Sequence, residues 1–545
     1  MKKYSTSAMM VTIIFAQVLA ACASPAPAPA AEPAAAVPAT EAPAAAPTAA
    51  PTAVPATPVI PAALAADCPL LAGPDWSGET LSPDPARLLS ITDVYHARMI
   101  YEPFVAADST MQPIPWLAES WESNDKATEW TFRLKQGVKF HDGSPLTADD
   151  VVYTFRRLLN PETKSAGASE LGAIKPEAFQ AVDANTLKVT LESPLAELPS
   201  ILASKHGMVV KNGASSDDIR FRPNGTGPFT LKELKLGLDK TTFTKNAAYW
   251  RTGLPKSDCL TVTAITEPLS RVAALQSGDA DIVLVIDPAT IPVVNADPNI
   301  TLTKAPGGTA VTIGMFIDKP PFDKLKVRQA MKLVMDRQAI VDVALLGFGV
   351  PGNDNPIMPA SPDAYRSDII PRDVAKAKQL LAEAGYPDGI SLDLSAADLM
   401  PGTMAMVQAY QQMASEAGIK INIVNESPGE YWDTVWLKKP FAVSNWGMRT
   451  TTAALAVAYR KAAPWNETHW YSDKYDGLLD EAAKTIDPDA RRKLYQEAQR
   501  MLAEEGGVLI PMFANIVAGT RKGWSGYTPP SDHNRPDFTE IACSD

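Results

Sequence analysis

A chain of 545 residues is longer than one hydrophobic core usually organises, so two lobes are the starting expectation. Its 46 % hydrophobic and 21 % charged content is that of a globular protein. A net charge of -12 argues against nucleic acid or an anionic membrane surface as partner, because both are polyanions that select basic faces.

Lys2 and Lys3 give a positive start, and Ala8 to Ala21 form an apolar run of signal-peptide length, too short to span a bilayer. The run ends in Leu19-Ala20-Ala21-Cys22, which resembles a bacterial lipoprotein signal. That resemblance implies that residues 1–21 are removed and that lipidated Cys22 becomes the mature N-terminus. An ordinary secretory signal cleaved near Ala23 would also put the protein outside the cytosol. Residues 22–66 are almost entirely Ala, Pro and Thr, with too little apolar bulk to offset the entropy of ordering, and read as a disordered tether. At about 3 Å per residue such a segment reaches on the order of 100 Å from its anchor. No later stretch approaches 18 uninterrupted apolar residues, so the chain meets the membrane by its lipid anchor only. With Cys22 set aside, Cys68, Cys259 and Cys543 predict one disulfide and one spare thiol, with three pairings open and no zinc-ligand spacing.

Strand and helix signals then alternate. Trp130, Phe132 and Leu134 share one face of a strand over 129–135, and Thr147 with Asp150 opens a helix carrying Val151, Phe155 and Leu158. Leu187, Val189 and Leu191 mark another strand, and Ile282 to Ile286 a more buried one. Asp373 caps a helix that stops at Gly385, and Asp487-Pro488 opens one carrying Leu494, Ala498 and Met501. Ile390, Leu392 and Leu394 alternate, as do Ile419, Ile421 and Ile423. Mixed order of this kind predicts α/β lobes.

Reactive constellations are missing. His96, His141, His206, His469 and His533 are scattered, with no HExxH spacing, and no GxSxG elbow or Walker A loop occurs. Gly347 to Gly352 matches a dinucleotide fingerprint only formally: it follows a helical pattern, and Pro351 obstructs the helix that should come next, so it reads as a turn. Asp149-Asp150 and Glu504-Glu505 read as solvated helix faces. The expectation is a protein that is not an enzyme, with no cofactor and no metal site.

A family resemblance rests on ordered motifs: Tyr101 to Val105, Pro115 to Trp121, Val138 to Gly143 with Pro145 to Tyr153, Gly225 to Phe229, Asn246 to Trp250, Phe322-Asp323, Val327 to Ala330, and Leu380 to Tyr386. Together they resemble the family 5 solute-binding proteins of ABC transporters, the dipeptide, oligopeptide, nickel and opine binders. The resemblance implies an α/β, two-lobed periplasmic binding protein of type II kind, with a hinge and an interlobe ligand cleft. Lobe I would comprise residues 67–305 and 513–545, and lobe II residues 306–512. The crossings fall near Lys304 to Thr309 and Ile510 to Asn515, where Pro306-Gly307-Gly308 and Pro511 interrupt regular patterns. His141-Asp142-Gly143 reads as a strand-to-helix turn with a structural histidine. The implied partners are a peptide-like or opine-like polar solute and ABC permease subunits, for a monomer held outside the cytoplasmic membrane, periplasmic or at the cell surface. A surface sensory or adhesive lipoprotein of the same fold, or a nickel-chelate binder, is the alternative.

For the ligand site, peptide binders of this family carry an acidic stretch after the equivalent of Asn445-Trp446-Gly447, whose carboxylate takes the peptide ammonium. Here Met448-Arg449-Thr450 follows, and Arg449 presents a planar cationic fork suited to a carboxylate, unless it pairs with a carboxylate of its own surface. Trp446 and Trp465 are expected as aromatic walls, with Thr450, Asn466 and His469 nearby. Tyr101 and Asn515 join the expected set on resemblance alone.

Overall fold

Two long antiparallel strands, Ile300–Met315 and Val508–Arg521, form the spine of an 11-stranded mixed sheet. The computed structural model describes residues 68–75, 82–88, 90–172, 174–234 and 240–544; the signal segment, Cys22 and the tether 22–66 lie outside them. On one side of the spine, Phe441–Trp446 pairs antiparallel with Ile300–Met315, and Ile390–Ala396 and Ile419–Asn425 follow as parallel neighbours. On the other side lie Ile282–Val283, Leu70–Gly73, Cys259–Ala264, Lys240–Lys245 and Phe229–Leu234. A separate four-stranded antiparallel sheet contains Ala118–Ser123, Glu129–Leu134, Thr186–Thr190 and Phe179–Asp183.

The strand Ile300–Met315 is buried without alternation from Ala310 onward because side chains on both faces are covered. Val311, Ile313 and Leu509 pack into one core with the helices Leu325–Leu333 and Thr403–Ser415, while Ala310, Ile510 and Phe513 pack into another with the helix Pro488–Glu505. A third core lies under the four-stranded sheet, built by Phe104, Phe132, Phe155 and Phe179. Two more, around Tyr95 and Leu275, fill the remaining faces of the large sheet.

Both proline-marked interruptions coincide with breaks in register. Ala305 pairs with Ile516 and Thr309 with Ala514, so Pro306, Gly307 and Gly308 bulge opposite the single residue Asn515. A second shift lies between Val311 and Ile313, opposite Pro511. The bulge needs its glycines: a Cβ on Gly307 would stand 2.1 Å from the Ala514 carbonyl oxygen, and one on Gly308 2.4 Å from Cγ of Met448.

Several local expectations have direct counterparts. The strand Glu129–Leu134 buries Trp130, Phe132 and Leu134 and turns Glu129, Thr131 and Arg133 outward. Thr147 donates through its backbone N and its Oγ1 to Oδ2 of Asp150 at the start of the helix Ala148–Leu159. Asp373 and Asp487 accept from the backbone N of Lys376 and Ala490 at 2.8 and 2.7 Å. His141 bridges backbone groups, with Nε2 3.1 Å from the Gly227 oxygen and Nδ1 accepting from the Gly225 N–H. Within the Gly347 to Gly352 segment, Gly347 takes the left-handed turn at φ 79°, but Gly349–Pro351 is a short strand against Val508–Arg521. The disulfide joins Cys68 to Cys259 at the ends of two paired strands, leaving Cys543 as an exposed thiol.

Candidate functional site

The strand Phe441–Trp446 ends beside the bulge. Its last residue, Trp446, pairs with Ala310, and the chain then turns through exposed Gly447 to Met448, which fills the space above Gly308. This places Arg449 over the Trp446 ring, with Cζ 5.1 Å from the ring centroid. Its Nη1 donates to the Gly447 carbonyl at 2.9 Å. Among the described residues no carboxylate lies within 4.0 Å of its guanidinium, so none of them supplies the surface ion pair left open by the sequence. Burial pulls the Arg449 guanidinium below its ordinary value, against the opposing fields of Glu170, Asp532 and Tyr459. A half-buried guanidinium with unused donors is a receptor for an oxyanion.

Trp465 stands 6.0 Å from Trp446 and 6.3 Å from Trp436, ring centre to ring centre, and is 44 % exposed. Trp446, Trp436 and Trp465 thus form one aromatic wall, reached at its outer end by Trp432, 5.4 Å from Trp436. Thr450 caps the short helix Thr451–Ala456 by accepting from the backbone N of Ala453. It also lines a cavity of about 340 Å³, together with Trp121, Trp130 and Glu197 from the side of the four-stranded sheet and Asp363, Arg491 and Tyr495 from the other. Asn515 sits across from the bulge; its backbone N donates to the Phe348 oxygen, and its buried Oδ1 has no donor among the described residues. That acceptor faces no competing partner.

Three expected site residues have other work. Tyr101 is 1 % exposed in the core around Tyr95, and its hydroxyl donates to the Ile219 carbonyl at 3.2 Å, so it presents no surface to a solute in this conformation. Asn466 is buried and fully engaged: Nδ2 donates to the carbonyls of Arg460 and Trp470, and Oδ1 accepts from N and Oγ1 of Thr468. It staples the loop that carries Trp465. His469 stacks on Phe316 at 3.7 Å and pairs with Asp318 through Nδ1 at 2.9 Å, away from the aromatic wall. Among the described residues no group of three His, Cys, Asp or Glu is arranged to hold a metal ion.

Glu467 is the residue that sequence reasoning passed over. It lies between Trp465 and His469, is 3 % exposed, and accepts from the Trp446 and Trp436 indoles at 3.0 and 3.1 Å. A charged residue enclosed by tryptophans in a proline-opened loop was the available signal.

A two-lobed α/β scaffold with a spine of two paired antiparallel strands and an aromatic, cationic site beside their bulge defines a solute-binding protein of the kind that serves ABC transporters. The chain belongs to the bacterial extracellular solute-binding proteins, family 5, whose middle-region family model matches residues 112–466. The glutathione-binding protein GsiB of Salmonella typhi is 31 % identical over 482 residues, covering 86 % of this chain and 93 % of that protein. Among solved structures, the ABC transporter substrate-binding protein CtaP of Listeria monocytogenes superposes with a TM-score of 0.76 at 21 % identity, over 88 % of this chain and 100 % of that one. AgaA from A.tumefacien R10, in complex with agropinic acid, gives 0.67 at 25 % identity, over 88 % and 99 %.

Proposed function

We propose that this protein captures an anionic, peptide-like or opine-like solute for an ABC importer, with Arg449 receiving a carboxylate of the solute. The observation that carries the reading is Arg449 itself, half-buried on the Trp446 ring with no carboxylate of the described residues within 4.0 Å. A relative that binds glutathione, a tripeptide with two carboxylates and one ammonium, and a structural neighbour holding an organic acid support the same reading.

The finer parts of the proposal follow from the sequence. Lobe I comprises residues 67–305 and 513–545 and lobe II residues 306–512; the buried members of the five large cores sort into these sets, with Phe513 at the boundary the one exception. Cys22 carries the lipid that holds the protein outside the cytoplasmic membrane, and the protein acts as a monomeric binder and not as an enzyme. Ligand binding favours the state in which the two lobes meet, which the permease then recognises.

The test is thermal unfolding of the mature protein with glutathione, an opine acid, nickel with histidine, and a neutral dipeptide. Binding to the folded state alone stabilises by about 2.7 kcal/mol at a hundredfold excess over Kd. A rise with the acidic solutes is the expected result; stabilisation by the neutral dipeptide or the nickel chelate alone sinks the reading.

A further inference from the structure

Burying a carboxylate is costly unless its oxygens are fully occupied. Glu467 meets that condition in an unusual way, because its carboxylate has five hydrogen-bond donors among the described residues and none is a lysine or arginine. Oε1 accepts from Trp446 Nε1 at 3.0 Å, Thr312 Oγ1 at 3.2 Å and Tyr459 OH at 3.4 Å. Oε2 accepts from Ser444 Oγ at 2.5 Å and Trp436 Nε1 at 3.1 Å. The two indole N–H groups can only donate, so each oxygen is committed to one tryptophan.

The seat of this carboxylate is rigid. A Cβ on Gly314 would stand 2.7 Å from the Glu467 carbonyl oxygen, so the loop lies directly on the spine strand. On one side Asn466 is tied to Arg460, Trp470 and Thr468, and on the other the Thr468 carbonyl accepts from the Ile317 N at 2.9 Å. A fixed carboxylate holding two indole edges fixes both ring planes. Trp446 then carries Arg449 on its face, and Trp465 leans on both rings.

We infer that Glu467 is the positioning residue of the solute site: by anchoring the N–H edges of Trp446 and Trp436 inward, it sets the aromatic wall and the seat of Arg449 and so determines which solutes fit. The inference rests on the reading that the Arg449 end of the wall receives the solute. Its physical core, the ordering of two indoles by one carboxylate, stands without that reading.

The experiment compares the wild type with Glu467→Gln by near-ultraviolet circular dichroism, far-ultraviolet circular dichroism and glutathione titration. The amide keeps the shape but offers one oxygen, so its NH2 meets one indole N–H donor to donor. The expected result is an unchanged far-ultraviolet spectrum, a weakened tryptophan near-ultraviolet signal, and glutathione binding weaker by about tenfold. An unchanged near-ultraviolet spectrum overturns the inference. If the wild type itself does not bind glutathione, that counts against the functional reading, and the spectrum alone decides the positioning role. If Glu467→Gln does not fold, Trp436→Phe carries the test: it leaves Glu467 its other donors and removes one anchor remote from Arg449. Glutathione affinity should then fall about threefold, and unchanged affinity overturns the inference.

Discussion

The hydroxyl of Tyr495 donates to Oε2 of Glu197 at 2.7 Å, joining residues 298 positions apart. Tyr495 belongs to the helix Pro488–Glu505, and Glu197 precedes the short helix Leu198–Leu202 under the four-stranded sheet. The same hydroxyl meets Thr452 Oγ1 at 2.5 Å, and Asp363 accepts from both Thr451 Oγ1 and Gln112 Nε2. The turn after Arg449 is therefore tied to the opposite wall of the cavity through Thr451 and Thr452.

Tyr495→Phe tests that tie. Burial raises the Glu197 carboxyl, opposed by the Tyr495 hydrogen bond and by Arg491, whose Nε lies 3.8 Å away. Removing the hydroxyl leaves a buried acid short of a donor, at a cost of about 1.5 to 3 kcal/mol. Urea unfolding should show that loss, and small-angle scattering of the unliganded variant should show a larger radius of gyration. An unchanged radius would mean that the tie does not hold the two walls together.

Arg449→Ala separates a site from a surface. With a cation–π contact and one hydrogen bond to lose but no ion pair among the described residues, stability should fall by only about 1 kcal/mol. Affinity for glutathione should fall about 10- to 100-fold, as when a charge-assisted bond is deleted, and Arg449→Lys should restore part of it, because an ammonium lacks the planar fork. Calorimetric titration reads all three proteins. Equal affinity in Arg449→Ala would remove Arg449 from the site.

What could be read from the sequence was whatever is written locally. The alternation of Trp130, Phe132 and Leu134, the caps at Asp373 and Asp487, and the prolines at the two register shifts are properties of a few adjacent residues. The place of Arg449 after Trp446-Gly447 was expected through the family resemblance, as a cation standing where peptide binders carry an acid. The role of Tyr101 was not legible, because the acceptor of its hydroxyl, the Ile219 carbonyl, lies 118 residues away. Glu467 was hidden in the same way: four of its five donors, Thr312, Trp436, Ser444 and Trp446, come from other elements, and their convergence exists only once the sheet is assembled.

Asn466→Ala distinguishes a staple from a ligand contact. Its amide satisfies two carbonyls and its oxygen accepts from two groups of Thr468, all in one loop. Truncation strands these partners and should destabilise the protein by on the order of 2 kcal/mol. Glutathione affinity, measured well below the unfolding transition, should change far less than in Arg449→Ala. A large loss of affinity without loss of stability would return Asn466 to the ligand surface.

Glu102 supplies a pH dependence of known sign. It is 4 % exposed and accepts from the Trp116 indole and the Tyr249 hydroxyl. Burial pushes its carboxyl from 4.5 up to about 7, with those donors and Arg98 pulling the other way. The folded state thus holds the proton more tightly than the unfolded chain. Its contribution is fully present below pH about 4.5 and is lost as pH rises through about 7, a difference approaching 3 kcal/mol. Burial lowers His96, His141, His206 and His533, which act in the opposite sense and withdraw stability as pH falls. They are common to wild type and Glu102→Gln, so the difference between the two proteins isolates Glu102. Urea unfolding from pH 5 to pH 8 should show Glu102→Gln gaining on the wild type as pH rises, with the steepest change between pH 5 and 7. Two parallel profiles would show that Glu102 keeps its charge in the fold, held by Arg98 and its two donors.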